Sequence, residues 1–72
     1  MRSNINSFSI FDLEGETQIS ILDVDGNRVE NHNTNNLEFN WMADSKFQSG
    51  VYIVNVSDKK GRVKSFKLIV VK

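Results

Sequence analysis

Asp23, Asp25 and Asn27 are the residues of this sequence whose types and spacing could hold a metal ion. Oxygen ligands at alternate positions begin a calcium loop of the EF-hand type, which also needs a glycine at its sixth position and a glutamate at its twelfth. Gly26 is only the fourth residue of this segment, so the spacing does not fit. We therefore predict no metal site here, but a hairpin turn in which Asp23 accepts backbone N–H groups.

Catalytic groups are equally sparse. His32 is the single histidine and lies among asparagines, and the sequence contains no cysteine. A histidine that acts as a general base needs an oriented partner and a nucleophile, and no serine stands in a Gly-x-Ser-x-Gly turn. Glu14 and Glu16 flank a turn, where we expect them to be solvated. The sequence predicts an exposed loop histidine, no catalytic or cofactor-binding residue, and no enzymatic activity.

The composition is that of one small domain. A chain of 72 residues leaves room for a single domain over residues 1–72, supported only marginally by its own core. Nine basic and nine acidic residues give a formal net charge of zero, which argues against nucleic acid as a partner. Residues 1–7 lack the apolar segment of a signal peptide, and the apolar run at 68–71 is too short for membrane insertion. Of a cytoplasmic mini-protein and a domain taken from a longer chain, we favour the second.

Strands and turns follow one another along the chain, with almost no helix. Alternation of apolar and polar residues predicts strands at residues 7–13, 18–21 and 37–41, and a return strand from Arg28. Residues 31–36 are almost purely turn-forming and predict a loop.

The last third of the sequence is the strongest local signal. Two runs of β-branched and aromatic residues flank a short turn at residues 58–61, which predicts a β-hairpin that continues to Lys72. Six or seven short strands at this spacing indicate an all-β antiparallel sandwich or small barrel. Lysines 59, 60, 64 and 67 stand where they would protect a strand edge from unwanted pairing.

The alternation also predicts which residues are buried. Predicted core positions are Ile19, Ile21, Val29, Leu37, Phe39, Tyr52, Val54, Val56, Phe66, Leu68 and Val70. Trp41 is expected to be half-buried at a sheet margin. Phe11 breaks the alternation of its strand and is expected to project outward. Phe47 lies in the connection at residues 42–50, where it would either pack under the core or, with Phe11, be a candidate for an exposed aromatic that recognises a ligand.

Several segments together resemble one protein family. Residues 19–29 resemble the "V-x-I-Y-D-L-x-G-R-x-V" segment of the C-terminal sorting domains of type IX secretion, and residues 49–54 resemble their "S-G-V-Y-I-V" segment. Residues 67–70 are similar to their terminal strand. The Pro-Asn-Pro start of the family is missing, and Trp41 stands where an aspartate is common.

This resemblance implies a seven-stranded Ig-like β-sandwich and a non-catalytic role. The domain would direct a larger secreted protein through the periplasm and outer membrane to the cell surface or the extracellular space. Its partners would be outer-membrane secretion and sortase-like proteins, together with an upstream cargo domain in the same chain. Alternatives that we keep open are an Ig-like accessory or carbohydrate-binding module of a secreted enzyme, and a stand-alone binding protein such as a small inhibitor.

The expected partner-binding residues lie in the final hairpin. They are Gly50, Tyr52, Lys67, Ile69, Val71 and Lys72. We expect the last strand to be an exposed edge whose backbone groups a partner extends by β-augmentation, with Ile69 and Val71 on the face opposite the core.

Overall fold

Seven strands, and no helix, make up the computed structural model of this chain, which describes residues 2–72 and the side chains of residues 4–72. The strands are β1 (Arg2–Asn4), β2 (Ser7–Ile10), β3 (Thr17–Leu22), β4 (Arg28–Thr34), β5 (Phe39–Met42), β6 (Gly50–Asp58) and β7 (Val63–Val70). Over residues 2–72 there is accordingly no helix that could cross a membrane.

The strands form two antiparallel sheets that pack face to face. A three-stranded sheet has the order β1-β2-β5, and a four-stranded sheet has the order β4-β3-β6-β7. The predicted all-β sandwich is confirmed, with the architecture of a small Ig-like domain. The sheets approach each other at one edge, where an isolated parallel bridge joins Ile5 to Ile69 of β7.

Two hairpin turns share one local design. Asp23 Oδ1 accepts the backbone N–H groups of Asp25 and Asn27 at 3.0 and 2.9 Å, which is the predicted role of this aspartate. The hydrogen bonds from Asn27 lower the pKa of the Asp23 carboxyl. Asp58 repeats the arrangement in the β6–β7 turn. Gly26 has a φ of 87°, a left-handed conformation that glycine adopts without steric cost.

The core fills the space between the sheets and confirms most of the predicted positions. Ile19, Ile21, Tyr52, Val54, Leu68 and Val70 are buried, and Val29, Phe39, Val56 and Phe66 pack partly buried against them. Leu37 is the exception, because 76% of its surface is exposed. Strand β5 begins only at Phe39, and Leu37 lies in the preceding loop, where its carbonyl accepts the N–H of Leu13.

Three aromatic predictions have different outcomes. Phe11 is 45% exposed, as expected. For Phe47, packing under the core is confirmed and exposure for recognition is wrong, since only 1% of its surface is accessible. The link between β5 and β6 turns back on itself, with Phe47 N–H donating to Asp44 O, and carries the ring between Trp41 and Tyr52. Trp41 is buried instead of half-buried, at 8% exposure.

The predicted loop at residues 31–36 is wrong for most of its length. Strand β4 continues to Thr34, because Ile19 and Ser20 of β3 pair with His32 and Asn31. Pairing across strands overrides the turn preference of asparagine. At the other end of the fold, β2 stops at Ile10, earlier than predicted, and the chain bends at Asp12, whose φ is 58°.

Replacement of Phe47 by alanine tests the corrected core. We expect Phe47→Ala to lower the free energy of unfolding by about 3–5 kcal/mol, since it empties a fully enclosed site between two other rings. Phe11→Ala is the matched control and should change it by less than about 0.5 kcal/mol. Urea denaturation followed by Trp41 fluorescence measures both, and equal effects would contradict the assignment of the two rings.

Candidate partner-binding surface

The expected binding residues meet at one end of the β6–β7 hairpin. The register places Gly50 opposite Val70, Val51 opposite Ile69 and Tyr52 opposite Leu68. Because side chains alternate between the two faces of a strand, one set points into the core and the other points outward. Recognition can therefore use only the outward set directly.

Four apolar side chains remain exposed at this end, and we call them the apolar corner. Ile5, Val51, Ile69 and Val71 are 63%, 40%, 42% and 53% exposed. Ile5 and Ile69 line one shallow depression together with Asn4 and Lys67. Contiguous exposed apolar groups are typical of a surface that contacts another protein. Val51 and Ile5 were not among the predicted residues, although the alternation of β6 could have indicated Val51.

Two lysines flank the apolar corner. Lys67 lies on the outward face of β7, opposite Ile53, and is exposed. Lys72 is exposed as well, although its Nζ donates to Asp44 O at 2.8 Å and its backbone N–H donates to Ser49 Oγ at 2.8 Å. The surface thus combines apolar contact area with positive charge at its rim.

Tyr52 and Gly50 have supporting positions in this surface. Tyr52 is buried, its ring meets Phe47 edge-on at 5.3 Å between centroids, and its hydroxyl donates to Gln48 O at 2.8 Å. The tyrosine therefore fixes the chain that leads into β6. Gly50 is exposed, and a Cβ added there would meet no atom within 4 Å, so no crowding inside the domain requires a glycine.

The edge of β7 beside the apolar corner is closed by Asn6. The backbone N–H of Asn6 donates to Ile69 O at 2.9 Å. Its side-chain amide donates to Val71 O at 3.0 Å and accepts the Val71 N–H at 2.7 Å. One asparagine thus satisfies both backbone groups of Val71, as a neighbouring strand would. The expectation of open backbone groups at Ile69 and Val71 is corrected, and Asn6 is a residue that the sequence analysis missed.

Substitution of Asn6 measures this closure. Its φ of 67° is left-handed, so Asn6→Ala should lose the side-chain bonds and also strain the backbone, at about 1–3 kcal/mol of unfolding free energy. Asn6→Gly should cost less, because glycine relieves the strain. Both variants should speed hydrogen exchange at the Val71 amide. Unchanged exchange would show that Asn6 does not hold this end of the chain.

A second polar cluster joins the two sheets at the opposite edge. Glu30 Oε1 accepts Trp41 Nε1–H at 2.8 Å and also binds His32 Nε2, while Lys46 Nζ donates to Oε2 at 3.0 Å. His32 also packs on the Phe39 ring, with 5.3 Å between ring centroids, so the expected exposed loop histidine is in fact a partly buried strand residue. Burial raises the pKa of the Glu30 carboxyl, but the hydrogen bonds from Trp41, His32 and Lys46 outweigh it and lower the pKa overall.

The lowered pKa of Glu30 predicts that the stability of the domain declines in acid. Because its pKa is lower in the folded chain than the ordinary 4.5, the ionised group stabilises the fold above that pH, and the contribution is lost as the pH falls through the folded value. We expect Glu30→Gln to be less stable than the parent chain at pH 7 and to lose less stability between pH 5 and pH 3, roughly the range that linkage predicts. Glu16→Gln, at an exposed site, is the control. Parallel pH profiles for Glu30→Gln and the parent would contradict this role.

The remaining aromatic groups bear on a sugar-binding alternative. Phe11 stands at the rim of a shallow cavity of about 210 Å³ that is also lined by Leu13, Val56 and Arg62. Among the described residues, the other rings are buried or partly buried in the core. A platform of several exposed rings, as stacking on a sugar chain requires, is therefore not formed by residues 4–72. Those residues also contain no cluster of metal-ligating side chains.

Fold and surface define a small Ig-like β-sandwich with a mixed apolar and basic corner on its final hairpin. Over residues 2–72 the chain matches the family of secretion system C-terminal sorting domains, and it belongs to that family, which serves type IX secretion. No curated protein and no solved structure matches the chain. The family match confirms the resemblance that the motifs indicated.

Proposed function

We propose that this domain carries the signal that sends a larger protein through the type IX machinery to the cell surface or the extracellular medium. The cargo is an upstream part of the same polypeptide, and the readers are outer-membrane secretion and sortase-like proteins. The family match over residues 2–72 is the observation that carries this proposal. The domain acts by being bound, without catalysing a reaction.

The apolar corner and its flanking lysines are the surface that we assign to the machinery. Val51 and Ile69 offer apolar contact, and Lys67 and Lys72 offer positive charge. Tyr52 is buried beneath this surface and holds the chain that enters β6 at Gly50. The outward face of the strands, instead of their backbone edge, carries the recognition, because Asn6 already occupies the edge at Ile69 and Val71. A reader with an apolar patch bordered by acidic groups fits this surface.

Export of a reporter fused in front of the domain tests the assignment in a bacterium with type IX secretion. We expect the double variant Val51→Thr/Ile69→Thr to reduce export by about tenfold or more, because it removes apolar contact while keeping β-branched side chains. Val63→Thr is the matched control, since Val63 is a 64% exposed valine at the other end of the same strand. Charge reversal at Lys67 and Lys72 should also reduce export, whereas Lys64→Glu should not.

Folding must be checked for each variant, by circular dichroism and urea unfolding. A deletion of residues 69–72 would be ambiguous, because Val70 is fully buried and Val71 is bound by Asn6. Normal export of folded Val51→Thr/Ile69→Thr and of the charge reversals would overturn the surface assignment. Absence of export for the unmodified domain would overturn the proposed function itself.

A further inference from the structure

Strand β4 differs from the edge strands β7 and β5 in how its backbone is covered. It has seven residues and a neighbour on one side only, β3. Strand β7 is closed at its end by Asn6 and carries Lys64 and Lys67, which discourage strand pairing. Strand β5 is short, with four residues. A β-bulge at Val29 interrupts the pairing of β4 with β3, and the regular segment after it, residues 30–34, contains no lysine.

The register shows which backbone groups of β4 point away from the sheet. In an antiparallel pair, residues that direct both N–H and C=O toward the neighbour alternate with residues that direct both away. Ile69 and Val71 direct theirs to Asn6, away from β6, and this fixes the alternation for the whole sheet. When this alternation is followed through the paired residues of β6 and β3, the backbone groups of Ile19 point toward β4 and those of its partner His32 point toward β3. Asn31 and Asn33 therefore present their backbone groups at the open edge.

We propose that β4 is an association surface at which two copies of this chain pair antiparallel, edge to edge, into a continuous eight-stranded sheet. A two-fold axis at Asn31 pairs each Asn31 with the Asn31 of the second copy. The same axis sets Glu30 of each copy opposite His32 of the other. This inference is independent of the export function.

Charge supports a second copy as the occupant. The chain has a formal net charge of zero, so net charge causes no repulsion between two copies. At the edge, Glu30 is the acidic group and faces Lys46, His32 and the Trp41 indole within its own copy. Pairing adds a second histidine to each carboxylate and places no like charges opposite each other. On the outer face, the Asn31 side-chain amide would face the Asn31 amide of the second copy. Its Oδ1 already accepts hydrogen bonds from Ser20 Oγ–H and Gln18 Nε2–H.

The oligomeric state of the 72-residue chain tests this proposal. Sedimentation equilibrium from about 10 μM to about 1 mM should show a monomer–dimer equilibrium, because edge pairs of this size are weak. Hydrogen exchange at the Asn31 and Asn33 amides should slow as the concentration rises, while the Ser65 amide on the β7 edge should not respond. A monomer at every concentration, or no protection at Asn31 and Asn33, overturns the proposal.

Two variants locate the contact. Asn33→Pro removes an outward N–H without breaking the β3–β4 ladder and should weaken dimerisation by about tenfold or more; Ser65→Pro on the β7 edge is the matched control and should leave it unchanged. Asn31→Lys sets two positive charges together, so its loss of dimer should be partly reversed by salt. This salt response decides the matter if Asn33→Pro fails to fold. Dimerisation of both variants at the parental strength, or equal weakening by Ser65→Pro, overturns the assignment to β4.

Discussion

The contact on which this domain depends is a chain of aromatic rings that runs from one sheet to the other. Phe8 stacks on Trp41 at 5.2 Å between centroids, Trp41 meets Phe47 edge-on at 4.9 Å, and Phe47 meets Tyr52 at 5.3 Å. A second branch joins Phe8 to Phe66 of β7. With 72 residues and no cysteine, large rings are the most effective way to bury apolar area. The core therefore uses aromatic side chains that a longer chain could expose for ligand binding.

Local patterns predicted the parts of the fold that local chemistry determines. The turns at Asp23 and Asp58 follow from an aspartate, a glycine and backbone donors that are all within four residues. The inward positions of β3, β6 and β7 follow from strict alternation. The wrong predictions of an exposed Phe47 and of a loop at residues 31–34 have a common cause, which is contact between segments that are distant in sequence. Phe47 is buried because two rings from other strands enclose it, and residues 31–34 are extended because β3 pairs with them.

The proposed binding surface shows the same division between local pattern and distant contact. Ile69 and Val71 could be identified from the final strand, because their outward direction depends only on the alternation. Asn6 could not, because its role depends on the bridge that brings Ile5 beside Ile69, over sixty residues later in the chain. An asparagine before a strand gives no local sign that its amide replaces a missing strand. Three-dimensional proximity, instead of residue type, creates this contact.

Closure of the β7 edge also limits what a reader of this domain can recognise. An open edge would offer backbone groups that any extended strand could pair with, including the same strand in a partly folded chain. Asn6 occupies the end of that edge, at Ile69 and Val71, and leaves side chains as the accessible features of the apolar corner. Those side chains come from Ile5, Val51 and Ile69, which are far apart in sequence and adjacent only after the sheets have assembled. A protein that binds this corner therefore distinguishes the folded domain from its unfolded chain, even though the residues that contact it are chemically ordinary.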